Sequence, residues 1–139
     1  MKEKRILSVL ILSLFLCLPL AYCRELTSNE LKIFYDAAEY QLKAQIDGNN
    51  SDSLTQDFAS QYGLTEDELA DIMVEGYRIP LNAAEKEVAE ELKRRLSSPR
   101  GEDIMTQDDI NIMKELADKY AMSLGQVGSI FIRMNSDLL

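Results

Sequence analysis

Phe58-Ala59-Ser60-Gln61-Tyr62-Gly63-Leu64-Thr65, continued by Leu69 and Ile72, returns later as Leu116-Ala117-Asp118-Lys119-Tyr120-Ala121-Met122-Ser123, continued by Val127 and Ile130. Each apolar position of the first copy lies 58 residues before its equivalent, and Leu54 with Ile112 extends the match upstream at the same offset. In both copies an apolar run of helical spacing stops at a turn, and a Thr or Ser then opens a second run. The chain is read as carrying a duplicated pair of short helices.

Working outward, helix starts are marked by a Ser, Thr or Asn followed three residues later by Glu, Gln or Asp. Each of the two side chains can bond an otherwise orphaned backbone N–H. Such pairs stand at Thr27/Glu30, Ser53/Gln56, Thr65/Glu68, Asn82/Glu85, Thr106/Asp109 and Ser123/Gln126. The runs behind them keep helical spacing: Leu31, Phe34, Ala38, Leu42 and Ile46 in the first; Ala84, Val88, Leu92 and Leu96 in the fourth; Val127, Ile130, Phe131, Met134 and Leu138 in the sixth. Breaks fall at Asp47-Gly48-Asn49-Asn50, at Ile79-Pro80 and at Ser97-Ser98-Pro99-Arg100-Gly101. No useful period-two alternation occurs, so no sheet is expected. The sequence predicts an all-α protein of six helices in two tandem three-helix units, residues 24–80 and 81–139. Each unit is small for independent stability, so the two are expected to pack as one compact body.

Within each copy the pattern resembles the helix–turn–helix of DNA-binding domains. Ala59 and Ala117 stand where two crossing helices touch, and Gly63 stands in the turn, where a left-handed backbone costs least without a Cβ. Phe58, Tyr62, Leu64, Leu69 and Ile72 fall on the core positions of that motif, as do Leu116, Tyr120, Met122, Val127 and Ile130. Ala121 replaces the turn glycine in the second copy. The resemblance covers about 20 residues per copy and is to a fold motif, not to a particular protein family. It implies a second helix that could enter a DNA groove with polar and basic residues. Here that helix opens Thr65-Glu66-Asp67-Glu68 and continues with Asp71 and Glu75, a face that repels phosphate. Its counterpart after Ser123 has no basic residue before Arg133. No nucleic-acid partner is expected.

Residues 1–23 have the physics of an export signal. Lys2, Lys4 and Arg5 precede the apolar run Ile6 to Leu18, Pro19 breaks it, and Ala21-Tyr22-Cys23 offers small side chains before a cut preceding Arg24. The run is short for a membrane span, which needs roughly 20 residues. A periplasmic or extracellular location is therefore expected. Membrane attachment would come only through an uncut signal helix or a lipidated Cys23, and Tyr22 suits lipidation poorly. The whole chain has 15 basic and 24 acidic residues. Removing residues 1–23 takes away three of the basic residues and one acidic residue and leaves a net charge of −11. Both cysteines, Cys17 and Cys23, leave with the signal, so the core must hold without disulfides.

No residue set reads as catalytic. The chain has no His, and the processed chain no Cys, which removes the commonest general base and the usual thiol and thiolate–zinc chemistries. Paired carboxylates acting on an extracellular substrate remain the enzyme alternative, and an envelope-anchored structural protein is the other. No cofactor or metal is expected. Asp47-Gly48-Asn49-Asn50-Ser51-Asp52-Ser53-Leu54 has oxygen ligands at calcium-loop spacing. Asp52 stands where the sharp-turn glycine belongs, however, and Phe58 where the closing Glu belongs, so the stretch reads as a polar interhelix loop. Lys93-Arg94-Arg95 with Arg100 is the one basic cluster. Glu90 and Glu91, four residues before Arg94 and Arg95, are expected to pair with it on a solvated helix face.

The last helix is the candidate contact. No charge occurs between Met122 and Ile132, and Leu124, Ile132 and Leu139 project to one side of the core-facing stripe. Gly125 and Gly128, one turn apart, would let another backbone approach, at about 1 kcal/mol each in helix propensity. These residues either pack the two units together or form an exposed partner or dimer face. The functional expectation is a small exported acidic protein acting as a protein-interaction or self-association module. Leu124, Gly125, Gly128, Ile132 and Leu139 are its candidate contact residues.

Overall fold

A computed structural model describes residues 24–47, 52–97 and 105–135. Six helices and no strand occur among them: α1 (Ser28–Ile46), α2 (Asp52–Gln61), α3 (Glu66–Tyr77), α4 (Ala83–Arg95), α5 (Gln107–Tyr120) and α6 (Leu124–Asn135). None of these helices is long and apolar enough to cross a membrane. Residues 1–23, which carry the export reading and Cys23, lie outside the described residues.

Five helices start where the paired polar residues predict. At α1 the Thr27 hydroxyl accepts from the Glu30 N–H at 3.2 Å, and the Glu30 carboxylate accepts from the Thr27 N–H at 2.8 Å. The same reciprocal pair closes α3 (Thr65 and Glu68), α4 (Asn82 and Glu85), α5 (Thr106 and Asp109) and α6 (Ser123 and Gln126). Each satisfies two backbone donors that a helix start leaves orphaned. The exception is α2. It begins at Asp52, so Ser53 falls inside the helix and does not precede it.

Both turns of the repeated motif close in the same way. Gly63 and Ala121, equivalent positions, have φ of 66° and 54°. The Leu64 N–H donates to the Ala59 carbonyl at 3.0 Å, and the Met122 N–H to the Ala117 carbonyl at 2.9 Å. Ala121 therefore accepts a left-handed backbone that ordinarily favours glycine. Ala59 and Ala117 are buried at the crossings, as the motif requires.

The core forms two clusters. One gathers Ile33, Phe34 and Ala37 of α1 with Phe58, Ala59, Leu69, Ile72 and Met73. The other gathers Val88, Leu92, Met113, Leu116, Val127 and Ile130 with neighbours from α4, α5 and α6, and it also takes Leu42 and Ile46 from the end of α1. The first helix thus feeds both clusters, and its most extensive packing is against α6. Three glycines make room for it. A Cβ at Gly76 of α3 would lie 2.6 Å from Cγ of Phe34; one at Gly125 would lie 2.8 Å from the Tyr35 carbonyl carbon; one at Gly128 would lie 2.5 Å from a methyl of Leu42.

Among the described residues two expected core positions are exposed. Tyr62 is 36 % exposed: its ring lies on Phe58 at 5.0 Å, while its hydroxyl donates to Asp36 at 2.6 Å. It covers the edge of the core with its apolar body and keeps its polar tip at the surface. Ala84 is exposed, and the next residue, Glu85, is buried in its place. Val88, Leu92 and Leu96 face inward as expected, so only the first turn of α4 differs, where Glu85 has a partner inside.

Candidate interaction surface

That partner is Arg133, in the last turn of α6. Its guanidinium reaches the two Glu85 carboxylate oxygens at 2.6 and 3.3 Å. It also donates to the Ile79 carbonyl at 3.3 Å and to the hydroxyl of Ser129, a fully buried residue, at 3.3 Å. The Arg133 and Glu85 side chains are only 3 % and 10 % exposed. Glu85 simultaneously accepts from the Asn82 N–H at 2.9 Å, so one carboxylate caps α4 and ties α6 to the α3–α4 connection. Such a pair gains little over apolar packing, but breaking it strands a buried charge. Tyr35 lies close by, and burial raises its phenol above the ordinary value although the Arg133 charge opposes the shift. The sequence reading missed this network. Its one available cue was a cation ending an otherwise uncharged helix.

The candidate contact residues separate. Gly125 and Gly128 are buried, and the close approach they permit is made by α1 of the same chain, not by an outside backbone. This corrects their placement on an open face: a Cβ-free stripe on α6 is what lets α1 lie against it. Leu124 and Ile132 are half-buried at the edge of the second cluster. Leu139 lies outside the described residues.

Of the basic cluster Arg100 lies outside the described residues, and Lys93, Arg94 and Arg95 are paired, though with partners shifted from expectation. Lys93 meets Glu90 at 3.0 Å and Arg94 meets Glu91 at 2.8 Å, both three residues apart, while Arg95 crosses to Glu115 on α5. Lys119 of α5 also reaches Glu91 at 2.9 Å. Glu87, Glu90, Glu91, Lys93, Arg94 and Tyr120 line an open depression between α4 and α5. Exposed pairs of this kind contribute at most about 1 kcal/mol.

Two polar links, one centred on Asp109 and one on Arg24, fasten the connections. Asp109 accepts from the N–H and hydroxyl of both Ser97 and Thr106, at 2.9–3.0 Å, and so staples the end of α4 to the start of α5. Burial pushes its carboxyl up, but the four donors outweigh that and hold it below the usual value. Arg24 spans Glu30 at 2.9 Å and Asp71 at 2.6 Å, fixing the segment before α1 to α3. The Arg24 guanidinium and the Thr27 N–H hold the Glu30 carboxyl down to about 2.

The outer side of α3 is acidic. Glu66, Asp67, Glu68 and Asp71 are exposed, Lys and Arg are absent between Glu66 and Tyr77, and Val74 is 48 % exposed. Among the described residues, no three acidic, His or Cys side chains are grouped to hold a metal ion. Of the calcium-like loop, residues 48–51 lie outside the described residues. No protein-family model, curated protein or solved structure matches this chain.

Proposed function

We propose that the chain is a small acidic protein, exported from the cytosol, that works by holding a protein partner or a second copy of itself and performs no catalysis. In this reading residues 1–23 address it outward, and residues 24–80 and 81–139 form two tandem three-helix units. The repeated left-handed turns at Gly63 and Ala121 support the tandem construction. The observation that carries the contact reading is on α6. The helix is uncharged up to Arg133, and Leu124 and Ile132 keep part of their apolar surface open after the glycine stripe is consumed by α1.

The test is Leu124→Asp in the full chain, followed by sedimentation and by cross-linking in the native host. Leu124 sits at the first position of its helix, where an acidic residue suits the helix dipole. Complex formation should be lost with the far-UV circular dichroism unchanged. A wild-type protein that sediments as a monomer and yields no cross-linked species refutes the reading. Mass spectrometry of the native protein checks the export part, with a mature form beginning at Arg24 expected.

A further inference from the structure

The two copies of the repeat differ in what covers their second helix. On α6 the stripe Gly125, Gly128, Ser129 and Ile132 follows helical spacing; its first three members are buried, the glycines against α1. The same repeat positions on α3 are Asp67, Ala70, Asp71 and Val74. All four are exposed. α1 meets α3 on another side, where Gly76 admits the Phe34 ring, and this stripe stays solvent-exposed apart from Arg24 resting on Asp71. The molecule therefore presents, on its first copy, the side that its second copy closes with a helix.

We infer that the Asp67–Ala70–Asp71–Val74 side of α3 docks an amphipathic helix of a second protein, one that carries Lys or Arg beside a small or apolar seam. The inference rests on the interaction-module reading and names the partner's chemistry. Ala70 and Val74 supply the apolar line, and Asp67 and Asp71 flank it, with Glu66 and Glu68 beyond. Arg24 already illustrates the charge preference: its Nε and Nη2 both donate to Asp71 Oδ2, at 3.1 and 2.6 Å. Complementary charge steers and selects such partners. A second copy fits poorly, since it would bring a net charge of −11, once residues 1–23 are removed, to an acidic face. Asp67 holds a side chain where Gly125 has none, so the incoming helix sits farther out than α1 does on α6 and makes its nearest approach at Ala70.

The experiment places the photo-cross-linker p-benzoylphenylalanine at position 74 of the full chain in its native host. Position 114, exposed on α5, serves as control, and position 124 as the α6 reporter. Position 74 should yield an adduct that maps to a Lys- or Arg-rich segment of another protein with apolar residues three and four apart. The double change Asp67→Lys and Asp71→Lys should lower its yield by about tenfold, the size expected when complementary interface charges are reversed. Lys114→Ala, at the exposed control position of α5, should leave that yield unchanged, and circular dichroism reports that both variants fold. No adduct above the position-114 control, an adduct with a second copy, or a yield indifferent to charge reversal overturns the inference. Adducts from position 124 alone would overturn docking on α3 and leave the interaction module standing. Adducts from neither position would end both.

Discussion

Replacing Gly125 by Ala tests the central packing of the molecule. The added methyl would lie 2.8 Å from the carbonyl carbon of Tyr35 and closer still to its oxygen, whereas ordinary van der Waals contacts of a Cβ lie at 3.4–4 Å. The obstacle is backbone within a helix, which cannot rotate aside, so α1 and α6 must move apart along their shared face until the Tyr35 carbonyl clears the methyl. Overpacking of this kind costs roughly 1–3 kcal/mol, occasionally more. Ala in place of Gly returns about 1 kcal/mol of helix propensity. A rigid obstacle puts the cost at the upper end, and the net loss is about 2 kcal/mol. Gly128→Ala is the internal control. Its new methyl meets the Cδ1 methyl of Leu42 at 2.5 Å, the end of a flexible side chain, and the Ala38 carbonyl oxygen only at 3.8 Å. Its net effect should stay within about 1 kcal/mol of zero, because a rotamer change absorbs the strain and the propensity gain offsets it. Urea unfolding followed by far-UV circular dichroism measures both. Equal midpoints for the two variants, or a larger loss at Gly128, would mean that the α1 backbone does not lie against Gly125.

Four other outcomes follow from the same geometry. Ala121→Gly should stabilise by about 0.5–1 kcal/mol and Gly63→Ala should destabilise by about 1 kcal/mol, since both positions hold a left-handed backbone that costs an L-residue about 1–2 kcal/mol; melting temperatures moving in opposite directions are the readout. Arg133→Met should cost about 3–5 kcal/mol by stranding Glu85, and adding Glu85→Gln should recover a large part of it; a double-mutant cycle with no coupling would contradict the buried pair. The Asp109 carboxyl is held below its unfolded value, so its contribution is complete above that value, about 3.9, and is lost as pH falls through the lower folded one. In that window the unfolded chain binds more protons and stability rises with pH; Asp109→Asn should flatten the slope in acid denaturation.

The helix order and most helix starts were legible because capping is local: a hydroxyl or amide and an acid three residues apart satisfy the same two N–H groups in any context. Ser53/Gln56 is the instructive exception, since a Ser53 cap would start α2 at residue 54 and the helix starts two residues earlier, at Asp52. The two turns were legible from Gly63 and from the alignment of Ala121 with it. Which helix occupies the glycine stripe was not legible. Gly125 and Gly128 say that a backbone comes close, but only tertiary packing selects α1 over a partner. The Arg133–Glu85 pair escaped for a related reason. Glu85 had a complete local explanation as a cap, and its second role depends on a residue 48 positions away. For the open side of α3, sequence alone recorded the acids and not that Val74 stands among them uncovered.

The placement of α1 bears on how the polypeptide is made. Of the six described helices α1 leaves the ribosome before the others and must lie against α6, the last of them, and its last turns complete a core whose other members come from residues 81–134. Contacts between the ends of a chain form late, because the intervening loop must close before they repay its entropy. The finished tertiary structure therefore waits for the last residues of α6 to be synthesised.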